Sequence, residues 1–227
     1  MLALKLGLSL NNIKHLGGAW SPSDEANLEA WYPKGVGIVL NGSDVSEWRD
    51  QSGNGVNMSQ STASQQPAYS SGVLTFDGTD DCLVSSTGQI TLTGDFVVGV
   101  KLTVNTVPGG TILGDFDASG EWMRFISSTV LRIKANNTTV INLNIDSGSI
   151  ATTTRLVLTR NSGTVSFWWN GVLQADTETL TDTVLTDAIG IRKGNLQPWD
   201  GTMEEIQIYS SYSSDLVANV DAYLAAL

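Results

Sequence analysis

Apolar residues recur at every second position along much of this chain, which is the period of a β-strand with one buried face. In the segment DFVVGVKLTV, one face carries the residues Phe96, Val98, Val100, Leu102 and Val104. The segment RLVLTRNSGTVSFWWNG predicts two strands joined by a turn at 161–163. Shorter runs, separated by turn residues, continue to about residue 210. Many short strands at this spacing predict an all-β fold, namely a two-sheet antiparallel sandwich or jelly roll.

Two segments have helical spacing instead. Near the start, Ser21 is a predicted N-cap, Pro22 the first helical residue and Asp24 an acidic residue of the first turn. Leu28 and Trp31 lie three positions apart and are expected on one face of this short helix. Near residue 227, the segment SSDLVANVDAYLAAL predicts a short C-terminal helix with its apolar residues at helical intervals, Leu216, Val220, Tyr223 and Leu227.

The first ten residues also alternate, with leucine at every second position: Leu2, Leu4, Leu6, Leu8 and Leu10. Burying five leucines roughly offsets the entropy lost when ten backbone residues are ordered. Such a strand would need hydrogen bonds to another strand, either in its own domain or in a neighbouring protein. We therefore divide the chain into an attachment arm, residues 1–18, and a sandwich domain, residues 19–227. The alternative is that the arm is an ordinary first strand of the domain.

Composition narrows the possible partners. The 227 residues include 12 Lys or Arg and 23 Asp or Glu, which gives a formal charge of −11. Because affinity for nucleic acid depends largely on Lys and Arg, nucleic acid is not an expected partner. No apolar run approaches the roughly 20 residues of a membrane span, so a membrane is not expected either. Cys82 is the only cysteine, which excludes an intrachain disulfide and favours a small buried side chain.

Three motifs of the chain occur in the same order as in a known fold family. SEWRDQSGNG, QQPAY and LTFDGTDDCL resemble the opening of the laminin-G-like branch of the concanavalin A-like lectin and glucanase fold. The hairpin that ends in Asn-Gly and the closing segment WDGTMEEIQIYSSYSSDLVANVDAYL are similar to the second half of that family. The resemblance covers about residues 19–227 and implies a two-sheet jelly roll with one concave face. The arm, the Gly-rich link and this domain together resemble virion proteins of tailed bacteriophages.

Glucanases of this fold carry two carboxylates on one strand, in the pattern E-x-D-x-E or E-x-D-x-x-E. Seven glutamates occur in this chain, and none has that spacing. Asp115 and Asp117 lie two apart, but in a segment with turn composition. The only histidine, His15, lies in the attachment arm, which disfavours a Ser-His-Asp arrangement. We therefore expect that the protein is not an enzyme.

The adjacent tryptophans of TVSFWWNGVLQ must point to opposite faces of their strand. Val165, Phe167 and Trp169 share one face, which we expect to face the core. Trp168 lies on the other, otherwise polar face, where it could stack on a sugar, anchor a neighbouring subunit or be covered by another part of the chain. Two further tryptophans are weaker candidates for contact with a ligand or partner, and packing would explain them as well: Trp122 and Trp199.

The segment FDGTDDCL places Asp77, Asp80 and Asp81 in one turn. Calcium favours clustered carboxylate oxygens, and some members of the resembling family hold calcium at the rim of the sandwich. Asp is also an ordinary turn residue that caps its own backbone. A calcium site and a turn without metal are both open, and no cofactor is expected to be required.

These features favour a non-enzymatic virion protein that decorates a capsid or forms part of a tail or fibre. Its expected partners are other virion proteins or copies of itself in a homo-oligomer, held by the attachment arm, and its expected location is a virion assembled in the host cytoplasm. The alternative is a lectin-like module that binds carbohydrates on a host surface.

Overall fold

The computed structural model describes residues 19–116, 122–136, 138–146, 153–192 and 194–227. The attachment arm, residues 1–18, lies outside the described residues. Single 3-10 turns span Pro22–Asp24 and Ala63–Gln65. The strands and the helix are, in chain order, β1 (Leu28–Tyr32), β2 (Ile38–Asn41), β3 (Asp44–Trp48), β4 (Met58–Ser59), β5 (Ala68–Ser70), β6 (Val73–Asp77), β7 (Leu83–Ser85), β8 (Ile90–Leu92), β9 (Phe96–Val104), β10 (Thr111–Gly114), β11 (Met123–Ser127), β12 (Val130–Ala135), β13 (Thr139–Asn144), β14 (Thr154–Asn161), β15 (Thr164–Trp169), β16 (Val172–Leu173), β17 (Glu178–Thr179), β18 (Val184–Thr186), β19 (Ala188–Ile189), β20 (Asp200–Tyr209) and α1 (Ser214–Ala226).

The strands form two antiparallel layers. In the first, which we call sheet I, β20 pairs with β9 on one side and with β1 and β6 on the other. The ladder continues from β9 through β14 to β15, whose far side pairs with β16 and β17. This arrangement confirms the predicted all-β antiparallel sandwich.

The second layer, sheet II, runs in the order β2, β3, β4, β7, β19, β10, β11, β12 and β13. The short strand β5 pairs with both β3 and β6 and so joins the two layers. A separate two-stranded pair is formed by β8 and β18.

The core lies between the layers and follows the predicted alternation. On β9, the face predicted to be apolar is at most 2% exposed. The hairpin of β14 and β15 closes through residues 161–163, with Ser162 and Gly163 at φ of 50° and 82°. Both strand predictions are therefore confirmed.

The C-terminal helix covers the outer face of sheet I. Ser213 caps it by accepting a hydrogen bond from the N–H of Leu216 at 3.0 Å. The buried face of α1 packs on Val97 and Val157 of sheet I. A Cβ atom at Gly99 would lie 2.4 Å from Cγ1 of Val220, so glycine allows the close approach of helix and sheet. The prediction of this helix is confirmed.

The prediction of a helix through Leu28 and Trp31 is wrong. Only the turn Pro22–Asp24 is helical, and Asp24 accepts a hydrogen bond from the N–H of Ser21 at 2.9 Å. Leu28 and Trp31 belong to β1, where they pair with Tyr209 and Gln207 of β20. An interval of three residues is compatible with a helix. This segment is nevertheless a strand, because its backbone pairs with that of β20. No helix in the described part of the chain is long and apolar enough to span a membrane.

Candidate functional site

Trp168 lies on the outer face of sheet I, as the alternation predicts. Its neighbours Phe167 and Trp169 are 0% and 2% exposed and fill the core. Trp168 itself is half-buried, because it packs against the cluster beneath α1. Of the three alternatives for this residue, partial covering by its own chain is therefore observed.

One edge of Trp168 still lines a cavity, which we call the helix groove. This groove of about 320 Å³ lies between the turn after β15 and α1. Tyr212, Val217 and Asp221 form its other side. The carboxylate of Asp221 accepts a hydrogen bond from Nε of Arg155 at 2.7 Å, so its charge is paired. The groove therefore combines aromatic and apolar surface with a carboxylate whose charge is already paired.

Trp122 and Trp199 are both 0% exposed. Trp122 packs edge-to-face on Phe96, with ring centroids 5.9 Å apart, and Trp199 lies 6.4 Å from Phe125. Of the two alternatives for these residues, packing is therefore observed, because their rings fill the space between the sheets.

The three aspartates of the predicted calcium site do converge. One carboxylate oxygen from each of Asp77, Asp80 and Asp81 lies within 4.8 Å of the others. Asp77 accepts hydrogen bonds from the N–H groups of Thr79 and Asp80, and Asp81 accepts one from the N–H of Asp77 at 3.0 Å. These bonds stabilise the turn, so the geometry is compatible with both a calcium site and a turn without metal.

Burial and backbone hydrogen bonds shift the pKa values of two aspartates in this cluster, Asp77 and Asp81. Desolvation raises the pKa of Asp81 from 3.8 to about 6, and the nearby carboxylates of Asp77, Asp80 and Asp44 act in the same direction. Burial also raises the pKa of Asp77, but hydrogen bonds from backbone N–H groups outweigh it and leave that pKa below 3.8. Near neutral pH the folded protein therefore holds the charge of Asp81 at a cost in stability, whereas it favours the charge of Asp77.

Beside these aspartates lies a larger cavity on the outer face of sheet II, which we call the polar groove. Its volume is about 470 Å³. Its floor consists of Cys82, Val84 and Phe116, which belong to a small apolar cluster outside the main core. The residues around this floor all have uncharged polar side chains: Ser59, Gln60, Ser61, Gln65, Ser85, Ser86 and Asn195.

Sheet II holds these side chains in place. Leu83 points into the core, so the next residue of β7, Val84, must face outward. The backbone of β4 pairs alongside, with Ser59 opposite Val84. Gln60 donates a hydrogen bond from Nε2 to Sγ of Cys82 at 3.1 Å. On the other side of the floor, the N–H of Phe116 donates to Oδ1 of Asp187 at 2.6 Å.

Gln65 connects the polar groove to the aspartate cluster. Its side-chain Nε2 donates to Oδ2 of Asp80 at 3.2 Å, while its backbone carbonyl accepts a hydrogen bond from the N–H of Cys82 at 3.0 Å. Burial raises the pKa of the Cys82 thiol to about 11, so this thiol is protonated at neutral pH and is a poor nucleophile. The residues that line the polar groove therefore favour binding through hydrogen bonds rather than covalent chemistry.

Sequence reasoning did not identify the polar groove. The signal that could have found it is the segment MSQSTASQQ, residues 58–66, in which hydroxyl and amide side chains are concentrated between buried strand residues. The remainder of the groove comes from 82–86, Phe116 and Asn195, which are distant in sequence. Only the pairing of the strands brings these segments together.

The adjacent carboxylates on β20 are both engaged with the segment after β1. Glu205 is 0% exposed and accepts hydrogen bonds from Nε1 of Trp31 at 2.6 Å and from the N–H of Lys34 at 2.7 Å. Glu204 contacts Nζ of Lys34 at 2.6 Å. Burial raises the pKa of Glu205 from 4.5 to about 6, against the effect of these donors. This network connects β1 and the segment after it to β20, and Nζ of Lys34 also donates to the carbonyl of Leu227, directly after α1, at 3.3 Å.

Comparison with known proteins yields structural similarity only. No family model matches the chain, and no curated protein matches it in sequence. A Trypanosoma rangeli sialidase in complex with sialic acid is similar at a TM-score of 0.58 and 14% identity, over 88% of this chain and 33% of the sialidase. The botulinum neurotoxin type G receptor binding domain is similar at a TM-score of 0.53 and 12% identity, over 88% of this chain and 51% of that one.

A third similar structure concerns botulinum neurotoxin type C, whose cell entry is described as dependent on interaction with two ganglioside molecules. It has a TM-score of 0.54 and 14% identity, over 90% of this chain and 52% of that one. The chain thus spans about a third of the sialidase and about half of the neurotoxin chains. At these identities the likeness shows only the fold, a β-sandwich. None of the three is a virion protein, and the virion assignment stays a prediction from sequence.

Proposed function

We propose that the protein is a carbohydrate-binding module and that the polar groove binds an uncharged segment of an oligosaccharide. The observation that carries this proposal is the lining of the groove, where hydroxyl and amide side chains surround an apolar floor. Ligand sites typically combine apolar surface with a few convergent polar groups that fix the orientation of the ligand.

The lining matches the chemistry of a sugar ring. Each sugar hydroxyl both donates and accepts hydrogen bonds, and serine hydroxyls and glutamine amides also do both. The C–H face of a pyranose is apolar and can pack on Phe116 and Val84, as apolar groups do on aromatic surfaces. Ser61 and Ser86 are exposed at the rim, where their hydroxyls are accessible to a ligand.

Electrostatics favour an uncharged ligand. The chain has a formal charge of −11, and the aspartate cluster adjoins the polar groove through Gln65. A carboxylate or sulfate group on a sugar would approach several like charges, which is unfavourable. The names of the structural neighbours, which mention sialic acid and gangliosides, support carbohydrate binding by this fold in general terms.

A glycan array followed by calorimetric titration with the best neutral oligosaccharide tests this proposal. The double substitution Ser61→Ala and Ser86→Ala removes two rim hydroxyls without touching the core. Two hydrogen bonds at about 0.5–1.5 kcal/mol each predict a Kd that is weaker by a factor between about 5 and about 150. The matched control, Trp168→Phe, alters the helix groove while keeping an aromatic ring, and is expected to leave the Kd unchanged.

Two results would contradict the proposal. One is the absence of any glycan that binds the wild-type protein. The other is binding that is lost in Trp168→Phe but retained in the double serine variant, which would assign the ligand to the helix groove.

The expected role in virion assembly and the expected lack of enzymatic activity both stay predictions. The first depends on residues 1–18, which lie outside the described residues. Activity of the sialidases belongs to chains of which this one spans about a third, and it is not transferred here.

A further inference from the structure

Strand β2 forms an edge of sheet II. Within the described ranges, β3 is the only strand that pairs with it. The N–H of Arg49 donates to the carbonyl of Gly37 at 2.8 Å, and the N–H of Val45 donates away from β2, to the carbonyl of Pro67. In this register the N–H and C=O groups of Ile38 and Leu40 point away from β3. They are free to pair with a further strand.

This edge is also apolar. Ile38 packs against the main core cluster, while Leu40 is 47% exposed and Val36 is 51% exposed. Ile38 and Leu40 lie two positions apart on the strand. An added strand with apolar residues at every second position would therefore extend both the hydrogen-bonded ladder and the core.

Three other edge strands in the described part of the chain each have at least one edge group that is already hydrogen-bonded. On β1, the N–H of Trp31 donates to Asp50 at 2.9 Å, and its carbonyl accepts from the N–H of Gln51. On β13, the N–H of Asn144 donates to Asp176 at 2.7 Å. On β16, the carbonyl of Val172 accepts from the side chain of Gln174 at 2.8 Å. Proteins commonly protect edges in this way, and β2 lacks comparable protection.

We propose that residues 2–10 of the attachment arm add to β2 as an extra edge strand, with their leucines in phase with Ile38 and Leu40. The alternation of Leu2 to Leu10 supplies the required period of two. Charge is also complementary, because the arm carries Lys5 and Lys14 and no acidic residue. The rest of the chain holds all 23 Asp and Glu, including Asp44 on the neighbouring strand β3, where Glu47 is already paired with Arg49 at 3.1 Å.

A disulfide scan of the full-length chain tests this pairing. Each position of the arm from 4 to 8 is replaced by Cys in turn, together with Leu40→Cys, and the protein is mildly oxidised. Cys82 is 2% exposed and can stay in place. Only directly facing residues of paired strands lie within disulfide range, so we expect one of the positions 4, 6 and 8, the one that faces residue 40, to give an at least fivefold higher yield than positions 5 and 7.

The matched control replaces Leu40→Cys by Val140→Cys, on β13, because Val140 is similarly exposed at 44%. Equal yields with both partners, or yields without the alternation along the arm, overturn the proposal. We expect a product with the mass of one chain, in which the arm pairs with β2 of its own copy. A product with the mass of two chains overturns this pairing.

Hydrogen exchange gives an independent measurement. The triple substitution Leu4→Ser, Leu6→Ser and Leu8→Ser is expected to accelerate exchange of the amides of Ile38 and Leu40 at least tenfold. Substituting the opposite face, with Ala3→Ser and Gly7→Ser, is expected to leave these rates unchanged. Amides of β14 serve as an internal reference for folding. Unchanged rates at β2 in the triple variant, with β14 still protected, overturn the proposal.

Discussion

The substitution Asp81→Asn is expected to stabilise the metal-free protein at neutral pH. The side chain of Asp81 is only 7% exposed, and burial raises its pKa from 3.8 to about 6. Asn retains a side-chain oxygen that can accept the hydrogen bond from the N–H of Asp77, which is 3.0 Å away. The substitution therefore removes a buried charge with little change in shape.

The sign and size of the effect follow from linkage. Because the pKa of Asp81 is higher in the folded state, the folded protein binds the proton more tightly, and stability rises as the pH falls from about 6 to 3.8. At about 1.4 kcal/mol for each pH unit, the penalty above pH 6 approaches about 3 kcal/mol. Asp81→Asn is expected to recover up to that amount at a pH of about 7.5 and nothing near a pH of about 4.

Urea denaturation in the presence of EDTA, repeated over this range of pH, measures the difference. As a control, Glu178→Gln removes one charge from an exposed strand position and is expected to change the free energy of unfolding by less than about 0.5 kcal/mol. The reasoning is refuted if Asp81→Asn destabilises the protein at neutral pH, or if its effect does not depend on pH.

Three further predictions concern packing, buried charge and metal. Gly99→Ala is expected to cost about 1–3 kcal/mol in urea denaturation, because its Cβ would lie 2.4 Å from Val220, whereas Gly88→Ala, with open space around it, is expected to be neutral. Arg160→Lys is expected to lower the melting temperature, because the buried guanidinium donates to three backbone carbonyls, those of Leu92, Gly94 and Asp182, and lies 5.0 Å from the centre of the Phe96 ring. The control is Arg49→Lys, because Arg49 belongs to an exposed ion pair. If the three aspartates bind calcium, calcium at about 100 times its Kd is expected to add about 2.7 kcal/mol to the free energy of unfolding, and Asp80→Asn is expected to abolish this gain. If the turn binds no metal, the melting curves in calcium and in EDTA are expected to be equal.

Strand faces could be predicted from sequence because alternation is a local property. Phe167 and Trp169 face the core and Trp168 faces outward whatever the neighbouring strands are. The same reasoning could not say what covers Trp168, because α1 is about fifty residues away in sequence. Local spacing also misassigned Leu28 and Trp31, where pairing with β20 outweighed an interval compatible with a helix.

The candidate site could be predicted only in part. The convergence of Asp77, Asp80 and Asp81 follows from one short turn, so the sequence contains it. The polar groove requires β4 and β7 to pair and Phe116 to reach the same face, which no local pattern encodes. The sequence therefore identified the aspartate cluster but not the polar groove beside it.

By itself, the sequence determined the all-β class, the buried faces of the long strands, the acidic charge and the alternating arm, because each depends on residue type and short-range period. The tertiary structure alone decided that Trp122 and Trp199 are buried, what covers Trp168, which edge stays open and where a groove forms. Those properties depend on which segments become neighbours, and long-range strand pairing sets that.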